Sequence, residues 1–191
     1  MVTAKDIEAL FHDLLADIEH EETRSKVIAV WVEGCRQGGW ETVAELKVMP
    51  FTLLTKTYGI SLIEHTIAVT EGALALADAQ TNAYSKMPYA VNMDRLVAGG
   101  LLHDVGKLLE TEKDGKGGFR KSRKGMFARH PISGAILAAQ AGLPDDIVNT
   151  IACHAKEGDG APKVLETVLI HQADFATFDP LVMLEKGQLI Q

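Results

Sequence analysis

Three ionisable residues interrupt an apolar stretch near the middle of the sequence. The segment GGLLHDVGKLLE, at residues 99–110, carries His103, Asp104 and Lys107 among glycines and leucines. A stretch this apolar is expected to be buried, and a buried ionisable side chain costs free energy unless a partner compensates it. The sequence should therefore contain further polar residues that meet His103 and Asp104 inside the fold.

The histidines of the central and C-terminal segments supply such partners. Each lies on a segment with an apolar side, and Asp174 follows the last of them by three residues, on the same side of its predicted helix. Buried separately, these polar groups would each need a partner, whereas one metal centre satisfies them together. Imidazole and carboxylate ligands without thiolate suit iron, manganese or zinc in an open site better than a structural zinc site. The candidates are His65, His103, Asp104, His130, His154, His171 and Asp174.

The stretch that follows residues 99–110 is strongly basic, although the whole chain carries a net charge of −7. Basic residues crowded beside a candidate metal centre focus positive potential at its mouth, which favours an anionic substrate. A solvated basic loop without a substrate role is the structural alternative. The predicted substrate contacts are Lys107, Arg120, Lys121, Arg123, Lys124 and Arg129.

Nearly every long segment has the periodicity of an amphipathic helix, so the fold class is predicted to be all-α. The stretch from Thr111 to Arg129, rich in glycine and basic residues, is the exception and is predicted to be a long loop. Prolines are poorly tolerated inside helices, and we expect the later helices to lie between them. The predicted helices lie at about residues 4–19, 25–37, 60–80, 93–109, 131–141, 144–155 and 162–178.

The composition argues against several classes of partner. A net charge of −7 does not favour polymeric nucleic acid as a partner. No apolar run approaches the roughly 20 residues that cross a bilayer, and the first residues do not resemble a signal peptide. Cys35 and Cys153 form no CxxC motif, which favours a reducing compartment. We therefore expect a cytoplasmic protein with no membrane partner.

The order of the candidate metal ligands resembles the H…HD…H…H…D pattern of the HD-domain superfamily, an all-α fold of metal-dependent phosphohydrolases. The His-Asp doublet that names the family closes an apolar helix in LLHDVGK, and the flanking ligands follow in the expected order. The matching residues are His65, His103, Asp104, His130, His154 and Asp174.

The resemblance also divides the chain. It implies an HD-domain helical bundle over residues 59–191, preceded by an N-terminal helical extension over residues 1–58. The extension matches nothing in the family pattern, and we expect it to be either a cap on the bundle or a dimerisation element. A homodimer is therefore one expectation.

Carried over residue by residue, the family pattern implies a dinuclear centre. Two histidines and two aspartates form the minimal pattern for one ion, and the additional His130 and His154 resemble the members that hold a second, with Asp104 as the bridge. The implied cofactors are two divalent ions of iron, manganese or zinc. Two ions on one carboxylate can bind a phosphate from both sides and activate water. The minimal set is His65, His103, Asp104 and Asp174.

The implied activity is hydrolysis of a phosphomonoester or phosphodiester in a small molecule or a nucleotide. Asp104 and Lys107 are the predicted catalytic residues, with Lys107 as a phosphate contact or an acid near the leaving group, as the resemblance to enzymes with an HDxGK motif suggests. The alternative for Lys107 is a helix C-terminal lysine, which the macrodipole favours. His171 has no match in the pattern and is expected to be a hydrogen-bond partner of a ligand, a late ligand or a core histidine.

Two stretches resemble the HD-GYP cyclic-di-GMP phosphodiesterases in part. HPISGAIL, which begins at His130, and HAKEGDGAP, which begins at His154, resemble the corresponding stretches of those enzymes. Ala155 stands where a second histidine is expected, and the Gly-Tyr-Pro tripeptide is absent. These departures argue against cyclic-di-GMP hydrolysis.

Two other functions occur on the same fold. Di-iron oxygenases with the same ligand pattern cleave carbon bonds with dioxygen, and the ligands alone do not separate them from phosphohydrolases. Relatives that have lost ligands serve as non-catalytic signalling modules, but this chain retains every expected ligand. We favour the phosphohydrolase over both.

Overall fold

Helices dominate the computed structural model, which describes residues 1–190, and the all-α prediction is confirmed. Within those residues the only sheet is one two-stranded hairpin. A short 3₁₀ turn spans Lys156–Gly158. The helices are α1 (Ala4–Leu10), α2 (His12–Ala16), α3 (Glu21–Gly38), α4 (Val43–Leu46), α5 (Leu62–Ala83), α6 (Met93–Leu102), α7 (Lys107–Glu110), α8 (Arg123–Phe127), α9 (His130–Gln140), α10 (Asp145–Cys153) and α11 (Leu165–Glu185), and the strands are β1 (Thr111–Lys113) and β2 (Phe119–Lys121).

A capping box fixes the start of α5. The backbone N–H of Glu64 donates to Ser61 Oγ at 3.2 Å, and Glu64 Oε2 accepts from the Ser61 backbone N–H at 2.8 Å. These bonds satisfy donors that the first turn of a helix leaves free. They also set the position of His65, one turn into the helix, where its side chain is buried.

The expectation of one helix over residues 93–109 is wrong, because α6 ends at Leu102 and the chain turns before α7 begins. Two side chains donate hydrogen bonds to carbonyl oxygens in the last turn of α6. Trp31 Nε1 donates to the Leu101 carbonyl oxygen at 2.9 Å, and His103 Nδ1 donates to the Gly100 carbonyl oxygen at 2.7 Å. The helix end is thus stabilised from outside the helix. It places the His-Asp doublet in a buried turn.

Gly106 lets this turn approach α9. A Cβ atom at Gly106 would lie 2.1 Å from the His130 carbonyl oxygen. The backbone at Gly106 has φ −63°, which any residue can adopt, so the lack of space and not the conformation requires glycine here. The close approach brings the segment with Asp104 against the helix that begins at His130.

The stretch predicted to be a long loop is structured instead. Strands β1 and β2 pair antiparallel, and Asp114 Oδ1 accepts from the backbone N–H groups of Lys116 and Gly118 in the connecting turn. Helix α8 follows, and Ser122 caps it by accepting from the Gly125 N–H at 2.9 Å. Turn chemistry and strand pairing, which helical periodicity does not reveal, organise this segment.

The expectation that every proline separates helices is wrong for Pro180, which lies inside α11. Proline removes the hydrogen bond to the carbonyl four residues earlier, at Ala176. Both residues are exposed, so water can bind the free carbonyl. Helix α11 therefore continues to Glu185, seven residues past the predicted end at residue 178.

The N-terminal extension and the bundle share one hydrophobic core. Trp31 and Trp40 are fully or almost fully buried, and Trp40 Nε1 donates to the Leu108 carbonyl oxygen at 2.8 Å. Residues 1–58 therefore support the segment with the His-Asp doublet directly. Across residues 1–190, none of the helices combines the length and the apolarity that crossing a membrane requires.

Candidate metal centre

The Asp104 carboxylate lies between two pairs of histidines. Its Oδ2 atom lies 3.4 Å from His65 Nε2 and 3.7 Å from His103 Nε2. Its Oδ1 atom lies 3.1 Å from His130 Nε2 and 3.7 Å from His154 Nε2. The structure thus places each oxygen in a separate cluster of possible metal ligands, and Asp104 belongs to both.

Asp174 adds a second carboxylate on the His65 side. Its Oδ1 atom lies 3.2 Å from His65 Nε2, which in turn lies 3.4 Å from His103 Nε2. The structure therefore brings together the whole ligand set that the family resemblance implies. Helices α5, α9 and α11 and the turns after α6 and α10 contribute the six side chains.

Backbone carbonyls orient two of the imidazoles. His103 Nδ1 contacts the Gly100 carbonyl oxygen at 2.7 Å, and His154 Nδ1 contacts that of Ile151 at 2.8 Å. Because a carbonyl only accepts, the proton of each neutral ring lies on Nδ1. The lone pair of each Nε2 therefore points towards Asp104.

Side chains orient the other two imidazoles in the same way. His130 Nδ1 donates to Glu110 Oε2 at 2.7 Å. His65 Nδ1 lies 3.2 Å from Thr177 Oγ1, which donates its own proton to the Asp174 carbonyl oxygen and so accepts from the imidazole. Partners on the outer nitrogen are typical of histidines that bind metal through the inner one.

This arrangement leaves acceptors facing acceptors. With Nδ1 protonated and the rings neutral, the four inner nitrogens present lone pairs to the oxygens of two carboxylates, and no proton lies between these groups. Among residues 1–190, His154 Nε2 is fully buried with no hydrogen-bond partner. A buried polar atom without a partner costs free energy. Divalent cations between the opposed lone pairs satisfy the whole set, so the residues present fit a metal centre.

Burial favours the neutral form of two of the inner histidines, His103 and His130. It lowers the pKa of His103 and that of His130 to about 4 in each case. For His65 burial acts in the same direction, but the carboxylates of Asp104 and Asp174 outweigh it and raise the pKa, so they favour a second proton on this ring. Burial acts to raise the pKa of Asp104, yet Lys107 and the surrounding imidazoles hold it well below its usual range. The carboxylate is therefore ionised and ready to bind a cation.

The centre opens into a cavity of about 520 Å³. Asp104, His130 and Asp174 reach its surface, and Lys107 lies beside them. Of the other predicted substrate contacts, Lys121 and Arg129 line the cavity. Arg120, Arg123 and Lys124 are exposed outside that lining, and Arg120 Nε donates to Glu112 Oε1 at 2.7 Å.

The structure also shows contacts that the sequence analysis missed. Glu110 accepts from both the backbone N–H and Nδ1 of His130 at 2.7 Å, a contact between residues 20 positions apart that the sequence pattern does not reveal. Lys156 joins the cavity lining from the 3₁₀ turn. His171 Nδ1 donates to the His154 carbonyl oxygen at 2.6 Å, so it supports a ligand segment through the backbone.

Comparison with known proteins gives one family match. The model of the family described as HD domain matches residues 62–176, which contain every residue of the candidate centre. No solved structure gives a significant match.

Several relatives carry names that describe an activity. The chain is 30% identical over 170 residues to the dihydroneopterin 2',3'-cyclic phosphate phosphodiesterase of Methanocaldococcus jannaschii, which covers 85% of this chain and 66% of the relative. It is 31% identical to ribonuclease Y of Pseudothermotoga lettingae and to that of Thermotoga maritima. Each of these alignments spans 118 residues and covers 62% of this chain. The chain spans only 18% of the length of these ribonucleases.

Glu110 provides a test of the two-cluster arrangement. Burial acts to raise the pKa of Glu110, but the hydrogen bond from His130 outweighs it and lowers the pKa to about 2, so the acceptor is a carboxylate. We expect Glu110→Gln to weaken binding at the His130 side by roughly 10- to 100-fold, because a neutral amide in place of the outer carboxylate makes the histidine a less basic and poorer ligand. Manganese titration followed by calorimetry or electron paramagnetic resonance measures both affinities.

Glu112→Gln is the matched control, since Glu112 bonds to Arg120 and not to a ligand. The control should bind manganese as the wild type does. Equal loss of affinity in the two variants, or loss at both clusters in Glu110→Gln, would contradict the assignment of Glu110 to the His130 cluster alone.

Proposed function

Because this chain belongs to the HD domain family, we propose that it hydrolyses phosphodiesters with two divalent metal ions held around Asp104. The observation that carries the proposal is the division of the Asp104 carboxylate, with one oxygen directed to each pair of imidazole lone pairs. Bound there, iron, manganese or zinc would supply an activated water and offset charge on the phosphate. His65, His103 and Asp174 would serve one ion, and His130 and His154 the other.

The chain's own cations prepare the cavity for a phosphate. Lys107 belongs to the turn after Asp104, and Lys121, Arg129 and Lys156 line the same cavity. In this role Lys107 binds a phosphate oxygen or gives a proton to the leaving oxygen, and the other three hold the substrate's negative charge. Asp104 and Lys107 remain the proposed catalytic residues.

The names of the relatives favour diester over monoester hydrolysis. One relative is named a cyclic phosphate phosphodiesterase, and others are named ribonucleases. The net charge of −7 and a cavity of about 520 Å³ favour a small phosphorylated molecule or a nucleotide over a long RNA. The names of these relatives also favour a phosphodiesterase over a di-iron oxygenase or a signalling module, and we propose that class.

For residues 1–58 we propose the role of a cap. The Phe51 ring stacks on the imidazole of His65 with centroids 4.1 Å apart, and Phe51, Thr52, Leu53 and Leu54 line the cavity. The extension thus contributes one wall of the proposed active site. A role in dimerisation stays a prediction, and the cytoplasm remains the proposed compartment, consistent with the free thiols of the two cysteines.

Hydrolysis of a nucleoside 2',3'-cyclic phosphate by the manganese-loaded protein tests the proposed activity. We expect release of the ring-opened phosphomonoester, with little further release of inorganic phosphate, and loss of at least 1,000-fold in rate for Asp104→Asn, on the order of what removing an essential catalytic group costs. Chromatography of the products measures both. An RNA oligonucleotide and a phosphomonoester serve as comparison substrates.

Faster hydrolysis of the oligonucleotide than of every small diester would replace the proposed substrate class with RNA. Oxygen consumption by the iron-loaded protein, with no diester hydrolysed under any metal, would replace the phosphodiesterase with an oxygenase.

Some basic residues near the centre line the cavity and others do not, and this difference gives a second prediction. The triple variant Lys121→Gln, Arg129→Gln and Lys156→Gln should lower kcat/KM by about 10-fold or more at low ionic strength, and added salt should shrink the difference. These side chains line the cavity, so their charge acts on the bound phosphate.

The control triple variant changes the net charge by the same amount outside the cavity lining. It consists of Arg120→Gln, Arg123→Gln and Lys124→Gln. We expect its kcat/KM to stay within about two-fold of the wild type, because these three side chains lie outside the cavity lining and would not contact a phosphate bound there. Equal losses in the two triple variants, at unchanged metal content, would show that net charge and not the cavity wall attracts the substrate.

A further inference from the structure

The cavity is chemically different on its two sides. On the His65 side the Phe51 ring stacks on His65 at 4.1 Å, and the Phe178 ring meets Phe51 edge to face at 6.4 Å. On the His130 side Glu110 contacts His130 at 2.7 Å, and Lys121 Nζ lies 3.6 Å from Glu110. Aromatic surface therefore adjoins one ligand cluster, and a charged surface that includes Glu110 and Lys121 adjoins the other.

Helix α11 carries the aromatic surface next to a metal-ligating carboxylate. Phe178 lies four residues, about one helical turn, after Asp174, and Phe175 directly follows Asp174. Both phenylalanines are only half-buried and line the cavity. A phosphate held at the centre would place its organic substituent within reach of these rings.

The N-terminal extension adds further apolar surface at the same cavity. Leu53 is 43% exposed and Leu54 is 78% exposed, and both line the cavity beside Phe51. The following residues hold this segment in place, since Thr55 Oγ1 and the Lys56 backbone N–H both donate to Glu185 at the end of α11. These leucines are therefore positioned at the cavity while much of their surface stays free.

We propose that the cavity binds the organic group of its phosphoester as a flat aromatic ring, held against Phe175 and Phe178 with Leu53 and Leu54 at its edge. This inference rests on the proposed function, since it assumes that the phosphate lies at the metal centre. It assigns the substrate class as a phosphoester with a planar heterocyclic or aryl substituent. Phe175 and Phe178 become the residues that determine specificity.

A flat ring fits these observations better than an alkyl or a sugar group. Aromatic side chains gain from stacked or edge-to-face contact with another ring beyond the apolar area buried. A sugar hydroxyl against this wall would lose its bonds to water, because phenylalanine and leucine side chains provide no hydrogen-bonding group. Lys107, Lys121 and Arg129 line the same cavity and would attract the charged end of the ligand, so the rings are free to hold its organic end.

Equilibrium binding separates the ring from the phosphate. Adenosine 5'-monophosphate and ribose 5-phosphate carry the same phosphomonoester and differ in the flat base. By calorimetry with the manganese-loaded protein, we expect the nucleotide to bind at least about 10-fold more tightly, the size typical of one base on an aromatic side chain. Phenyl phosphate should likewise bind more tightly than cyclohexyl phosphate, which has a similar size but no flat face.

Two variants locate the effect. Phe178→Ala should reduce the nucleotide's affinity about 10-fold and leave ribose 5-phosphate unchanged, and the unchanged sugar phosphate also reports an intact fold. Leu54→Ser, at a largely exposed position, should weaken the nucleotide selectively with little risk to folding. Phe127→Ala is the matched control, because Phe127 is 82% exposed and lies outside the cavity lining.

Equal affinity of the wild type for the nucleotide and the sugar phosphate would overturn the ring site, and so would tighter binding of cyclohexyl than of phenyl phosphate. Loss of both ligands together in Phe178→Ala, with Leu54→Ser unchanged, would also overturn it. A preserved preference for the nucleotide in a protein that hydrolyses no diester would contradict the proposed activity and support the ring site.

Discussion

The constraint on which the fold depends is the burial of one carboxylate among four imidazoles. Asp104 is only 3% exposed, and both its oxygens face imidazole nitrogens that carry lone pairs when the rings are neutral. Without a cation, these acceptors would repel one another, and the low dielectric constant of the protein interior strengthens that repulsion. Cations bound between the two halves, as proposed, would convert the repulsion into attraction, and the same contacts would then hold the helices together.

The outer partners of the imidazoles connect this constraint to the rest of the chain. The backbone carbonyls of Gly100 and Ile151, the carboxylate of Glu110 and the hydroxyl of Thr177 each fix one ring. These partners lie in α6, α10, α7 and α11. The turn that carries Asp104 also packs closely against α9, because Gly106 has no side chain. Packing around the candidate metal ligands therefore determines where the inner nitrogens point. The N-terminal extension takes part, through Trp31 at the end of α6 and Phe51 on His65.

The sequence predicted what local pattern and residue type can carry. Helical periodicity predicted the all-α class, and the order of histidines and aspartates predicted the residues that meet at the centre. The sequence pattern did not predict the end of α6 at Leu102. That end is stabilised by a hydrogen bond from Trp31 to the Leu101 carbonyl oxygen, and these two residues are 70 positions apart in the sequence. Glu110 and the aromatic side of the cavity were missed for the same reason, since their roles arise only from contacts between distant segments. Pro180 was misread because its exposure, which makes a missing hydrogen bond tolerable, is a property of the fold.

In the proposed two-ion centre Asp104 would serve both ions, and anomalous X-ray diffraction tests this most directly. Crystals of the manganese-loaded protein, measured at the manganese absorption edge, should give two anomalous peaks on opposite sides of the Asp104 carboxylate. One peak should lie among His65, His103 and Asp174, and the other should lie between His130 and His154. A single peak at full manganese occupancy, or two peaks of which one lies away from Asp104, would contradict the account.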